Sequence, residues 1–343
     1  MCPICAADKS QISPSCSCVK FFSKNVYIPV SLENFGSYAF TIHGDYIENI
    51  YVESGNLNYY SENGILYYKS SGFVAAYPEN NKTTDFHIPE GVTYAYSWYL
   101  LRDCRYVENV YVPQTATFNY STMQYCDNLK NVFVDENNPL YCDIDGVMYS
   151  KDKTKLLLYP RGRNPSSISF PATVKEIDGC AFYKCKDLTN VVLPEKMVRV
   201  YGYEFLQCEN LRDITFPKGI KQIYGIGYQI GGGPGAGGWI IGDIDNVVIR
   251  GYTNSPAETY AQENGFTFIS LGTINKLGDS NSDNRIDITD ATTIQRYLAE
   301  YEMDFSENEM IASDTNADGH ITISDVTEIQ RFIADLPSAM KKS

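Results

Sequence analysis

A chain of 343 residues, 43% hydrophobic and 20% charged, is long enough to bury more than one core. Its formal net charge of −14 argues against a nucleic-acid partner, which needs a basic face. No apolar run is long enough to cross a bilayer, so no membrane insertion is expected.

Residues 1–24 form a segment of their own, with Cys2, Cys5, Cys16 and Cys18. That spacing could hold zinc, close two disulfides or do neither. The opening residues also lack the basic start and apolar core of a secretory leader.

From Asn25 a short strand motif recurs, as in Asn25-Val-Tyr-Ile-Pro, Asn49-Ile-Tyr-Val, Asp85-Phe-His-Ile-Pro, Asn109-Val-Tyr-Val-Pro and Asn131-Val-Phe-Val. It continues with Ser167-Ile-Ser-Phe-Pro, Asn190-Val-Val-Leu-Pro, Asp213-Ile-Thr-Phe-Pro and Asn246-Val-Val-Ile. Most neighbouring copies are separated by about two dozen residues, a spacing typical of solenoid repeats. One such unit buries too little surface to be stable alone. Stacked units share a core along a parallel ladder, so the period predicts a solenoid. The strand copies, and the turn-plus-Leu stretches between them such as Gly179–Asn190, resemble the BspA-like leucine-rich repeats of bacterial surface proteins over residues 25–271.

Two insertions interrupt the ladder. Tyr59–Pro78 contains Asn63-Gly64, and its counterpart later in the chain, Tyr141–Pro160, contains Asp145-Gly146. Both dipeptides mark tight turns, so each insertion is predicted to be a β-hairpin standing out from the ladder. Cys104, Cys126, Cys185 and Cys208 share one place ahead of a strand copy, which predicts an inner row of packed thiols. The glycine-rich run between Gly225 and Gly242 lacks a phosphate-cradle pattern and reads as a loop insertion. Ser255-Pro256 through Gly265 carries helix start and stop signals, followed by a strand at Phe266–Ser270, and reads as a terminal cap.

The third residue of each strand copy should point away from the core. That row reads Tyr27, Tyr51, His87, Tyr111, Phe133, Ser169, Val192, Thr215 and Val248. Its aromatic half, Tyr27 to Phe133, is a possible face for a protein or glycan ligand. Rings in such a row also serve simply by packing on neighbouring strands. Catalytic motifs are lacking, although a carboxylate pair for glycoside hydrolysis leaves no spacing signature. An enzyme with an active site in the repeats is therefore the alternative.

Residues 272–343 hold 14 acids and 6 bases and contain one unit twice, beginning at Asp279 and at Asp314. Oxygen donors at alternate positions, closed by a carboxylate, suit a hard calcium ion. The first loop offers Asp279, Asn281, Asp283, the carbonyl of Arg285, Asp287 and Asp290. The second offers Asp314, Asn316, Asp318, the carbonyl of His320, Thr322 and Asp325, so two calcium ions are expected. Asn284 stands where Gly319 makes the sharp turn, and Asn tolerates a left-handed backbone better than most residues. Each loop runs into a helical pattern, and too little chain precedes either loop for an entering helix. The two helices are expected to pack through Ile294, Tyr297 and Leu298 against Ile329, Phe332 and Ile333.

This duplicated loop-helix unit resembles the type I dockerin family, whose members plug secreted proteins into cohesin modules of cellulosome scaffolds. The resemblance implies a scaffoldin cohesin as partner and a place outside the cell, with a leader removed or preceding this numbering. It also implies two cohesin-facing surfaces: Ile288 and Thr289 with Gln295 and Arg296, and Ile323 and Ser324 with Gln330 and Arg331. The expected architecture is an α/β leucine-rich-repeat solenoid with two inserted β-hairpins, followed by a small all-α module of paired calcium loops and helices.

Overall fold

The computed structural model describes residues 24–34, 47–92, 101, 104–118, 120, 123, 126–163, 165–201, 203–205, 207–224, 247–301 and 304–340. Cys2, Cys5, Cys16, Cys18, His43, Asn246 and the glycine-rich run lie outside them.

The chain winds into a β-solenoid of about nine turns with a period near 23. Strands β1 (Asn25–Ile28) and β2 (Asn49–Val52) pair in parallel, with Asn25 opposite Asn49 and Tyr27 opposite Tyr51. An antiparallel meander follows, of β3 (Tyr59–Glu62), β4 (Ile65–Tyr68) and β5 (Val74–Ala76). The parallel ladder resumes in β6 (Asp85–His87), β7 (Asn109–Val112) and β8 (Asn131–Val134). A second meander, β9 (Tyr141–Ile144), β10 (Val147–Ser150) and β11 (Lys155–Leu158), pairs through β11 with β12 (Glu176–Ile177). Beyond it the turns carry two strands each. β13 (Asn190–Val192) and β15 (Asp213–Thr215) lie on one face, and β14 (Arg199–Val200) and β16 (Gln222–Ile223) on another. β17 (Val248–Thr253), helix α1 (Pro256–Asn264) and β18 (Thr267–Thr273) close the solenoid.

Each strand is short because its period-2 pattern has only two inward positions. In β1 Val26 and Ile28 are buried while Tyr27 is exposed, and β7 repeats the pattern with Val110 and Val112. Cys104, Cys126, Cys185 and Cys208 are free, buried thiols, and Cys126 and Cys208 donate to the carbonyls of Leu101 and Phe182. They line the core as their shared place in the repeat predicts. A ladder of side-chain amides runs beside the strands: Asn49 donates to Asn25 at 3.1 Å, Asn109 to Asp85 at 2.9 Å and Asn131 to Asn109 at 2.9 Å.

The two hairpin turns are as predicted, with positive φ at Asn63, Gly64, Asp145 and Gly146. A Cβ at Gly64 would collide with Asn49, and one at Gly146 with Asn131, so these turns rest directly on the amide ladder. Each hairpin gains a third strand and packs into the core instead of standing clear of it. The cause is composition: Ile65-Leu66-Tyr67 and Leu156-Leu157-Leu158 are apolar on both faces, and all six residues are buried.

Two strand copies depart from expectation. Ser167–Phe170 forms no regular strand, although Ile168 and Phe170 still pack on the core, so the row is interrupted at Ser169. At the last copy the register slides by two positions: Val248 lies opposite Asp213, and Arg250, not Val248, faces outward beside Thr215. A bifurcated contact from Arg250 Nε to the two oxygens of the Asp213 carboxylate, at 3.0 and 2.7 Å, accompanies that register. The cap matches its signals: Ser255 caps α1 by accepting from the Glu258 amide, and Gly265 ends it at φ 76°.

The C-terminal module consists of α2 (Ile288–Leu298), α3 (Glu307–Ser313) and α4 (Ile323–Ile333). The second loop has an entering helix after all. α3 is less than two full turns long, and a reciprocal capping box between Ser306 and Glu309 compensates for its length. α2 and α4 meet through Ile294 and Ile329 as expected, joined by Ala291 and Val326 one turn earlier. Leu298 and Ile333 are instead exposed, and Tyr297 stacks on Phe305 with ring centroids 4.5 Å apart.

Candidate functional site

The two acidic loops share most of their hydrogen bonds. In the first, the Asp279 carboxylate accepts from the amides of Asp283 and Asn284, each at 3.0 Å, and Asp283 accepts from Arg285 at 2.8 Å. In the second, Asp314 accepts from Asp318 at 3.1 Å and Gly319 at 2.9 Å, and Asp318 accepts from His320 at 2.8 Å. The closing carboxylates match too. Asp290 accepts from the amides of Asn281 and Asp287, and Asp325 accepts from those of Asn316 and Thr322. Asn284 and Gly319 both have positive φ, 67° and 91°, so Asn284 makes the turn that Gly319 makes.

Not every expected ligand is free. Asp287 is the N-cap of α2 and accepts from the amide and hydroxyl of Thr289, and Thr322 caps α4 by accepting from the Ser324 amide. Asn281 and Asn316 reach Asp283 and Asp318 through their amide nitrogens, so both pairs stay within the loop.

The residues fit a divalent cation. Asp279, Asp290, Asp314 and Asp325 are all buried, and a buried carboxylate is costly unless a cation faces it. Burial, reinforced by the neighbouring Asp279 charge, pushes the Asp290 carboxyl above its ordinary range. A hard cation held between such oxygens relieves both effects.

The eight positions expected to face a cohesin all lie on the module surface. Ile288 and Ile323 occupy the first turns of α2 and α4 and are 57% and 61% exposed, unusual for isoleucine. Thr289, Gln295, Arg296, Ser324, Gln330 and Arg331 are exposed as well. The faces differ in one respect. Arg331 bridges Glu328 at 3.0 Å, whereas Arg296 forms no ion pair among the described residues.

Sequence reasoning missed Lys218 and Lys221, which join solenoid to module. Lys218 pairs with Glu307 at 2.8 Å, and Lys221 makes a short ion pair with Asp314, facing the second loop. Burial holds the Lys221 ammonium below its usual range, with Asp318 and Asp325 opposing that shift. Alignment at the repeat period is the signal that could have flagged it, since Lys175, Val198 and Lys221 occupy the same place in successive repeats.

On the solenoid the expected aromatic row is present and surface-facing. Tyr27 and Tyr51 stack at 5.4 Å, His87 and Tyr111 at 4.3 Å, and Tyr111 and Phe133 lie 5.2 Å apart. The rings form two groups, Tyr27 with Tyr51 and His87 with Tyr111 and Phe133, and the Tyr111 hydroxyl donates to Asp85.

Comparison with known proteins agrees with this geometry. The profile described as BspA type leucine rich repeat region matches six copies, over residues 74–141 and 161–226, and that of the dockerin type I domain matches residues 277–334. Among solved structures, the chain is similar to a leucine-rich repeat protein from Eubacterium ventriosum, with 23% identity, 59% of this chain and 57% of that one covered, and a TM-score of 0.38. It is also similar to the pneumococcal vaccine antigen PcpA, with 15% identity, 76% and 82% covered, and a TM-score of 0.39. For a leucine rich cell surface protein from Faecalibacterium prausnitzii the values are 21% identity, 58% and 48% covered, and 0.36. The chain thus spans just over half of the first of these proteins and about half of the third. No match was found among curated proteins. Both matched modules are non-catalytic interaction modules, and type I dockerins bind calcium. No helix among the described residues is long and apolar enough to cross a membrane. The chain carries a BspA-type leucine-rich repeat region followed at its C-terminus by a type I dockerin domain.

Proposed function

We propose that residues 272–343, loaded with two calcium ions, plug this chain into a cohesin of an extracellular scaffoldin, and that residues 25–271 recognise a ligand without catalysis. The ligands of the first ion are Asp279, Asn281, Asp283, the Arg285 carbonyl and Asp290, with Asp287 beside them. Those of the second are Asp314, Asn316, Asp318, the His320 carbonyl and Asp325, with Thr322 beside them. The observation that carries this reading is the equivalence of the two loops, whose carboxylates accept from backbone amides at the same positions of both copies.

Each exit helix then presents one apolar and one cationic anchor: Ile288 with Arg296, or Ile323 with Arg331. Isoleucine supplies buried area and arginine directional charge-assisted bonds. For the solenoid, the surface aromatics Tyr27, Tyr51, His87, Tyr111 and Phe133 favour a protein ligand, because rings already stacked on one another leave edges more than open faces for contact.

Isothermal titration of a cohesin panel tests the docking surfaces. Changing Ile288 and Arg296 to Ala should weaken binding less than making the same changes in both copies, since the second face remains competent. Equal losses would mean that only one face is used.

A further inference from the structure

A cleft of about 530 Å³ opens on the second strand face of the solenoid, away from the aromatic row. Its walls hold Lys155, Lys175, Lys196 and Arg199 together with Tyr201 and Tyr203, and Glu176 is the one acid among the lining residues. In a chain of net charge −14 this is a marked local reversal. Lys155 is bridged to Asp178 at 2.6 Å. Lys175, Lys196 and Arg199 are exposed and have no ion-pair partner among the described residues. Tyr201 lays one face on Tyr224 at 5.7 Å, and the Tyr203 ring, 54% exposed, stacks on no other ring among the described residues.

The repeat explains how the cations come together. β12 and β14 recur one repeat apart, with Lys175 beside β12 and Lys196 and Arg199 beside and within β14, so all three reach the same cleft. Several cations spread along one cleft suit a polymer that carries several anionic groups better than a single small anion. An exposed cation contributes little alone, so affinity here depends on several contacts made together. The same face already takes a carboxylate: Lys221, two turns beyond Lys175 at the same repeat position, carries Asp314.

We propose that this cleft binds an acidic polysaccharide, with carboxylates of successive uronic-acid units on Lys175, Lys196 and Arg199 and a pyranose ring resting on Tyr203. Arginine can hold a carboxylate through two parallel bonds, and a tyrosine ring offers an apolar face beside a polar edge. The assignment is independent of cohesin docking.

The test is titration of the full chain, in calcium, with oligogalacturonate, its fully methyl-esterified form, polyglutamate and polyuridylate. Oligogalacturonate should bind, more weakly as salt rises, and the esterified form at least tenfold more weakly. The triple change Lys175→Ala, Lys196→Ala, Arg199→Ala should weaken oligogalacturonate at least tenfold without altering calcium binding. Should that variant misfold, Lys196→Glu and Tyr203→Ala, each at an exposed position, should each weaken it severalfold. The proposal is overturned if oligogalacturonate does not bind, if the esterified form binds equally, if the folded variants bind as the parent does, or if polyglutamate or polyuridylate binds as tightly.

Discussion

Asn56 and Asn138 show how one buried amide closes a turn of the solenoid. Asn138 Nδ2 donates to the carbonyls of Pro113 and Ala116, each at 2.9 Å, and its Oδ1 accepts from the amides of Leu140 and Tyr141. Asn56 makes the same set of bonds ahead of the first meander, donating to Pro29 and Leu32 and accepting from Asn58 and Tyr59. Replacing Asn138 by Leu keeps the side chain's size roughly constant but strands the backbone groups it serves, so stability should fall by about 2–3 kcal/mol, read from urea unfolding. Neither asparagine was singled out in the sequence, because Asn is common and mostly exposed. The buried cysteines were legible, since a fixed place in a repeat says where a side chain points even when its partners are unknown.

Among the elements, helices α2 and α4 meet, among the described residues, through a core of four fully buried apolar side chains, Ala291, Ile294, Val326 and Ile329. A core that small cannot hold three helices without further support, and a bound metal supplies it. Calorimetry should therefore show a transition that moves to lower temperature with chelator, while the solenoid transition, which rests on much larger cores, stays in place. If chelator leaves both transitions unchanged, the helices do not depend on calcium. Elements written in local chemistry were readable: the two loops, the capped helix α1 and the Asn-Gly and Asp-Gly turns. α3, the third strand of each meander and the register of β17 were not. The first is too short for periodicity to mark it, and the others are decided by neighbours distant in sequence.

At the scale of the whole molecule, two lysines of the solenoid meet the acidic module through Lys218–Glu307 and Lys221–Asp314. The second pair joins positions far apart in the chain, and no local pattern could announce it. Lys221 faces Asp314, a carboxylate assigned to the second calcium, so ammonium and calcium compete for one anion. Lys221→Met should raise the calcium affinity of the second loop by about three- to tenfold, the worth of roughly 1 kcal/mol, and leave the first loop unchanged. Calcium titration with separate loop variants reads this directly, and equal shifts at both loops would rule out the contact as the cause. If two calcium loops make this chain a cohesin plug, immobilised cohesins should capture the full chain. At least one cohesin should capture it in calcium, and capture should be lost in chelator and, in calcium, when Asp279 and Asp314 are both changed to Ala. Capture that persists in chelator would contradict calcium-dependent docking.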